Sequence, residues 1–125
     1  MTPAQLAATI RAKAQAQGRF LTALAGPPGA GKSKLAAELV AALGQGAKAV
    51  PMDGFHYDDL HLVPAGLRPR KGAPMTFDVG GLYHTLQRLQ SREEAEVAVP
   101  VFDRKIEIAR AGARLIPREV QVIVV

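Results

Sequence analysis

One stretch of this chain nearly dictates what must surround it. Gly26-Pro27-Pro28-Gly29-Ala30-Gly31-Lys32-Ser33 is a full match to G-x-x-x-x-G-K-[ST]. Such a loop has to leave a strand and enter a helix, because its backbone N–H groups curl around phosphate oxygens and the helix N-terminus adds its positive end. Both flanks comply. Phe20 to Ala25 is a short, almost wholly apolar run, as expected of a strand buried on both faces. Lys32 to Leu43 is helical in pattern, with Leu35, Leu39 and Leu43 at four-residue spacing and Gly44 to close it. A Gly-rich turn with an accidental lysine would not come with both flanks. Gly26, Pro27, Pro28, Gly29, Ala30, Gly31, Lys32, Ser33 and Lys34 are therefore read as the nucleotide-binding residues. Lys32 reaches the β- and γ-phosphates as a point charge, and the Ser33 hydroxyl serves Mg²⁺.

The rest of the pattern extends this strand–loop–helix unit. Residues 2–17 read as an N-terminal helix, opened by Thr2-Pro3, faced by Leu6, Ile10 and Ala14, and ended by Gly18. No acid precedes Glu38, a bias that transit peptides share, but there is no secretory apolar core and no serine enrichment. Ala47 to Met52, Val97 to Phe102 and Val120 to Val125 read as further strands, and Asp78 to Ser91 as a helix carrying Leu82, Leu86 and Leu89. Asp53 to Gly72 reads as loop with a helical turn. Strands alternating with helices predict an α/β fold, a parallel sheet flanked by helices. At 125 residues the chain supplies one domain at most, and it stops within what reads as a buried strand. It is expected to be the N-terminal part of a larger domain.

Composition narrows the function classes. The net charge of +5 suits an anionic ligand. The absence of cysteine excludes a disulfide scaffold, a Cys-ligated zinc site and thiol catalysis, and fits a reducing, cytoplasmic setting. No apolar run approaches the roughly 20 residues of a membrane span. The densest basic cluster, Arg68, Arg70 and Lys71, has no interleaved aromatics, which argues against nucleic acid.

Asp53 closes the second strand, within Met52-Asp53-Gly54-Phe55-His56-Tyr57-Asp58-Asp59. A carboxylate there can accept the proton of an attacking hydroxyl and align it for in-line transfer, or it can simply cap an Asp-Gly turn. His56, Asp58, Asp59 and His61 fit no metal template well.

With these residues the chain resembles the phosphoribulokinase, uridine kinase and pantothenate kinase group of P-loop small-molecule kinases. The resemblance runs from about Gly18 to Val125. It is carried by the loop, by the block around Asp53, by Arg70-Lys71-Gly72-Ala73-Pro74-Met75-Thr76-Phe77-Asp78, and by Val99-Pro100-Val101-Phe102-Asp103. The wording is most like the bacterial branch described as fructose-transport-system or fructokinase-like kinases. The resemblance implies a P-loop NTPase-type sheet, ATP and Mg²⁺ as cofactors, and Asp53 with Lys32 as catalytic residues. It further implies a small hydroxyl acceptor, a sugar such as fructose, touched by His56, Tyr57, Arg70, Lys71, Asp78, Phe102 and Arg104. A homodimer is compatible with it; nucleic acid and membrane are not expected as partners. Three departures bear on the acceptor. Uridine-type kinases have an aspartate where this chain has Gly72, and a tyrosine and a histidine where it has Phe102 and Glu107. Pantothenate kinases have a histidine at the position of Arg104. Uridine- and pantothenate-type activity are thus the alternatives within the group, and a P-loop NTP-hydrolysing switch is the alternative outside it. Arg104, Lys105 and Arg110 are either ligands for a polyhydroxy or anionic substrate or a solvated basic face.

Overall fold

The computed structural model describes residues 1–26 and 31–125. They form two compact units, Met1–Val50 with Pro117–Val125, and Pro51–Ile116.

The first unit is built on a parallel three-stranded sheet, β1 (Phe20–Thr22), β5 (Val122–Val124) and β2 (Ala47–Ala49), in the order β1-β5-β2. The central strand pairs Phe20 with Val122 on one side and Ala47 with Val122 on the other. A strand with neighbours on both sides must be apolar on both faces, and Val122, Ile123 and Val124 are all buried. The helices are α1 (Pro3–Gln17) and α2 (Lys32–Leu43). Thr2 and Gln5 form a reciprocal capping box at the start of α1. Ala7, Ile10 and Ala14 of α1 and Leu39 of α2 share one core with Ala47, Val122 and Val124. Leu35 and Leu43 pack at its margin, so the leucine spacing did mark the buried face of α2. Arg19, itself buried, donates to the carbonyls of Val120 at 2.8 Å, Pro117 at 2.8 Å and Arg118 at 3.1 Å, which fixes the turn leading into β5.

Strand lengths are shorter than the apolar runs suggest. The ladder goes on as single bonds, Leu24 N–H to the Val125 carbonyl and Val50 N–H to that of Val124, until Pro51, which has no N–H to give. One expectation fails. The run Val97–Phe102 is a strand, but it does not enter the parallel sheet. It lies in β3 (Glu96–Asp103), which pairs with β4 (Ile108–Pro117) in a separate two-stranded sheet. A four-residue connection, Arg104 to Glu107, is too short for a parallel crossover, so the pair is an antiparallel hairpin. Exposed Arg110 and half-buried Arg114 broke the apolar pattern that would have revealed β4.

The second unit holds this hairpin, α3 (Asp59–Leu62), α4 (Val79–Ser91) and short 3₁₀ turns at Met52–Phe55, Arg68–Arg70 and Pro74–Thr76. Asp78 caps α4 by accepting from the Gly81 N–H at 2.9 Å.

Candidate functional site

In the first unit the residues expected from the sequence to bind nucleotide divide. Pro27, Pro28, Gly29 and Ala30 lie outside the described residues; Gly26, Gly31, Lys32, Ser33 and Lys34 lie within them. Gly31 is the N-cap of α2 at φ +85°, a left-handed conformation that a side chain would strain. No side chain caps this helix, and no acid stands in its first turn. An uncapped N-terminus with its positive end unopposed fits a phosphate group. Lys32 Nζ donates to the Gly26 carbonyl at 2.6 Å, so the lysine bends back across the two ends of the loop. Lys34 points away, 84% exposed, toward Glu38 one helical turn on. Any contribution of Lys34 to the loop is thus through its backbone. Ser33 is exposed in the first turn of α2, where a hydroxyl is a suitable hard donor for Mg²⁺.

In the second unit the two motif blocks are joined by backbone. Phe55 C=O accepts from Asp78 N–H at 2.7 Å, Thr76 C=O accepts from Tyr57 N–H at 2.8 Å, and His56 bridges to Phe77 between them. Buried Thr76 ties the Gly72–Thr76 turn, accepting from Gly72 N–H and donating to the Ala73 carbonyl. Asp53 sits in the 3₁₀ turn Met52–Phe55 rather than at the strand end itself. Its turn is pressed onto β3: a Cβ on Gly54 would lie 2.5 Å from the Pro100 carbonyl oxygen, so only glycine fits there.

Around Asp53 several of the expected residues come together. Its carboxylate meets Arg104 from the hairpin turn at 3.5 Å. Its carbonyl accepts from His56 Nδ1 at 2.8 Å; since a carbonyl only accepts, Nδ1 carries the proton. The His56 ring is held between Phe77 and Phe102, with centroids 4.0 and 4.8 Å away. Lys71, with only 8% of its side chain exposed, donates to Asp59 at 3.1 Å and to the Glu107 carbonyl at 2.8 Å, and lies 5.4 Å from the Phe102 ring centre. The Lys71 hydrogen bond, with help from Arg68 and against desolvation, holds the Asp59 carboxyl below the usual carboxylate range. Others stand apart in role: Asp78 is occupied as a helix cap, Arg70 is exposed on its 3₁₀ turn, and the Tyr57 ring lies tilted against that of His61, centroids 4.9 Å apart. Among the described residues, no group of three or more histidine and acidic side chains is arranged to hold a metal.

The hairpin also frames a cleft of about 460 Å³, lined by residues that include Phe102, Asp103, Arg104, Lys105, Arg110 and Arg114. Arg114 as a lining residue was not foreseen. Basic residues four apart on one strand would have pointed to it, had β4 been recognised.

No family model matches the chain. It is 37% identical over 99 residues to a candidate uridine kinase of Schizosaccharomyces pombe, the match covering 72% of this chain and 42% of the yeast protein. It is 39% identical over 94 residues to the uncharacterized Escherichia coli protein YggC, covering 71% of this chain and 38% of that protein. The crystal structure of a candidate fructose transport system kinase from a Silicibacter species superposes with a TM-score of 0.80 at 45% identity, covering 99% of this chain and 62% of the other. The chain thus spans about two fifths of the length of the curated relatives it matches. The resemblance to the P-loop kinases of the uridine kinase group, and to the fructose-transport-system branch, holds in sequence and in fold. Among the described residues, no helix is long and apolar enough to cross a membrane.

Proposed function

We propose that this chain carries the phosphate-binding loop and acceptor-side residues of an ATP-dependent kinase that phosphorylates a hydroxyl of a small metabolite, a sugar such as fructose. The observation that carries the reading is the complete loop motif set between β1 and α2, with Lys32 bent onto Gly26 at an uncapped helix N-terminus. The loop amides and Lys32 bind the nucleotide phosphates, and Lys32 follows the charge as the phosphoryl group moves. Mg²⁺, when bound, neutralises charge on the β- and γ-phosphate oxygens, and Ser33 with those oxygens would hold it. Asp53 accepts the proton of the acceptor hydroxyl, and Arg104 restrains its carboxylate. His56, locked as the Nδ1–H form, presents its other nitrogen as an acceptor in the neutral ring.

Fructose is favoured over uridine and pantothenate on two grounds. Gly72, Phe102, Arg104 and Glu107 replace the residues that those acceptors use in related kinases, and the 45%-identical neighbour is described by fructose transport. The yeast relative's name favours uridine, so both belong in the assay. ADP release is measured for the full chain and for Lys32→Ala with fructose, uridine, pantothenate or no acceptor. Fructose-dependent release in the native chain, lowered several hundred-fold or more by Lys32→Ala, is the expected result. Release that ignores every acceptor would make the chain an NTP-hydrolysing switch instead.

A further inference from the structure

The sequence predicts Lys71 as an acceptor ligand, but its ammonium group is already committed within the protein. Only 8% of the side chain is exposed. Of its three N–H donors, one reaches the Asp59 carboxylate at 3.1 Å and one the Glu107 carbonyl at 2.8 Å. The Glu107 carboxylate stands 4.0 Å away, and the Phe102 ring centre lies at 5.4 Å, within the range of a cation–π contact. Two routes lead from this lysine to Asp53. One runs through the backbone: the bond to Glu107 holds the end of the turn from Arg104 to Glu107, and Arg104 meets the Asp53 carboxylate at 3.5 Å. The other runs through rings: Phe102 lies 4.8 Å from His56, which donates to the Asp53 carbonyl at 2.8 Å. Arg104, Lys105, Ile106 and Glu107 are all exposed, so burial does not hold this turn in place. Glu107 also keeps a positive φ of 56°, a conformation that an untethered turn residue with a side chain leaves readily.

We propose that Lys71 is a positioning residue, a strut that orders the acceptor side before the acceptor arrives, and that it does not touch the acceptor. Resting on the kinase reading, this deepens it by assigning what sets acceptor affinity. With the turn held, an acceptor meets a site already in its binding conformation. With the turn loosened, an acceptor binds only the competent fraction of molecules, and its apparent KM rises by the inverse of that fraction. That factor belongs to the protein, so it is the same for every acceptor. A lysine that held a substrate hydroxyl would behave otherwise, because its loss would weaken most the acceptor that used it. Asp59, Phe102 and Glu107 lie outside the phosphate-binding loop, so ATP is not affected.

The test is Lys71→Met in the full chain, which keeps an apolar stem and leaves Asp59 with Arg68 at 3.1 Å. ADP release with Mg-ATP is measured against fructose, tagatose and sorbose, which differ in the configuration of one hydroxyl, and against uridine. Every acceptor that the native chain uses should show a KM raised by one common factor of about tenfold, with kcat within about threefold and the KM for ATP unchanged. Unchanged acceptor KM values beside a lowered melting temperature would make Lys71 a stabilising residue only. A changed order of preference would make it a ligand. Either result overturns the proposal. Should Lys71→Met fail to fold, Asp59→Asn, which leaves the Glu107 bond in place, should raise all acceptor KM values by a smaller common factor, and no rise overturns the strut. Backbone ¹⁵N order parameters separate the strut from the kinase reading. Those of Lys105, Ile106 and Glu107 should fall from about 0.85 to below about 0.6 in the variant, while those of Val122–Val124 stay high. An unchanged turn overturns the strut whether or not ADP is released. A loosened turn, with no acceptor-dependent ADP release from the native chain, removes the kinase reading and leaves the strut.

Discussion

Replacing Asp53 by asparagine separates a catalytic carboxylate from a turn residue, because the structure makes its effects on stability and on rate differ by several kcal/mol. The side chain contacts Arg104 at 3.5 Å, and the two side chains are 42% and 71% exposed. An ion pair so open to water contributes about 0–1 kcal/mol, and asparagine retains an oxygen for the guanidinium. The two hydrogen bonds from His56 reach the Asp53 backbone carbonyl, which the substitution leaves in place. Thermal unfolding should therefore shift by little. The rate should fall by about 10²–10⁴, the usual worth of a positioned general base, which is roughly 3–5 kcal/mol of barrier. Nucleotide affinity should hold, since the loop and Lys32 carry it. The assay is calorimetric titration of Mg-ATP beside acceptor-dependent ADP release, for the native chain and Asp53→Asn. Turnover within a few-fold of native would refute the base and leave Asp53 as a turn residue, for which asparagine is well suited. Loss of Mg-ATP affinity in step with rate would refute it as well, and move Asp53 to the metal.

Gly54→Ala should destabilise the chain by about 1–3 kcal/mol, because its Cβ would meet the carbonyl oxygen and carbon of Pro100, backbone atoms that cannot swing aside; an unchanged urea midpoint would contradict the close packing. The depressed Asp59 carboxyl contributes stability that is present above its unfolded pKa and lost as pH falls through its lower folded value. Stability against unfolding, followed from pH 6 down to pH 2, should thus weaken below about pH 4 in the native chain, and Asp59→Asn should flatten that part of the profile; parallel profiles would remove Asp59 as a support of the hairpin turn.

How much of this was legible in the sequence follows from where each signal resides. The helices α1, α2 and α4 and the central strand were readable because each is specified locally: a capping pair, leucines at helical spacing, an unbroken Val-Ile-Val-Val run. The hairpin was not, because a strand open to solvent has no apolar run to announce it. Ile108 to Pro117 mixes Ile, Ala, Arg, Gly and Leu, and most of it is exposed or half-buried. Partners across long sequence separation were equally hidden. Nothing local tells that Lys71 reaches Asp59 and Glu107, or that Asp53 meets a residue 51 positions away. Arg70 and Lys71 look alike in sequence, yet one is exposed and the other is almost wholly enclosed by its partners.

That asymmetry says where acceptor choice is written. In the proposed function, nucleotide binding rests on backbone N–H groups and one lysine, a local device that any compatible strand and helix can carry. In that proposal, acceptor binding rests on groups gathered from four separate segments of the second unit, and Phe102, Arg104 and Glu107 occupy positions at which this chain departs from the uridine- and pantothenate-type kinases. Arg104 lies against Asp53, Phe102 against His56, and the Glu107 carbonyl on Lys71. Glu107 takes a positive φ of 56°, unusual for a residue with a side chain, and the bond from Lys71 holds it there. Lys71 is in turn fixed by Asp59. The turn from Arg104 to Glu107 is thus anchored at both ends, so a substitution within it changes which groups face the acceptor without loosening the turn, whereas a substitution at Lys71 loosens the turn without changing those groups. The first should appear as a change of preferred acceptor, the second as a higher KM for every acceptor at an unaltered order of preference.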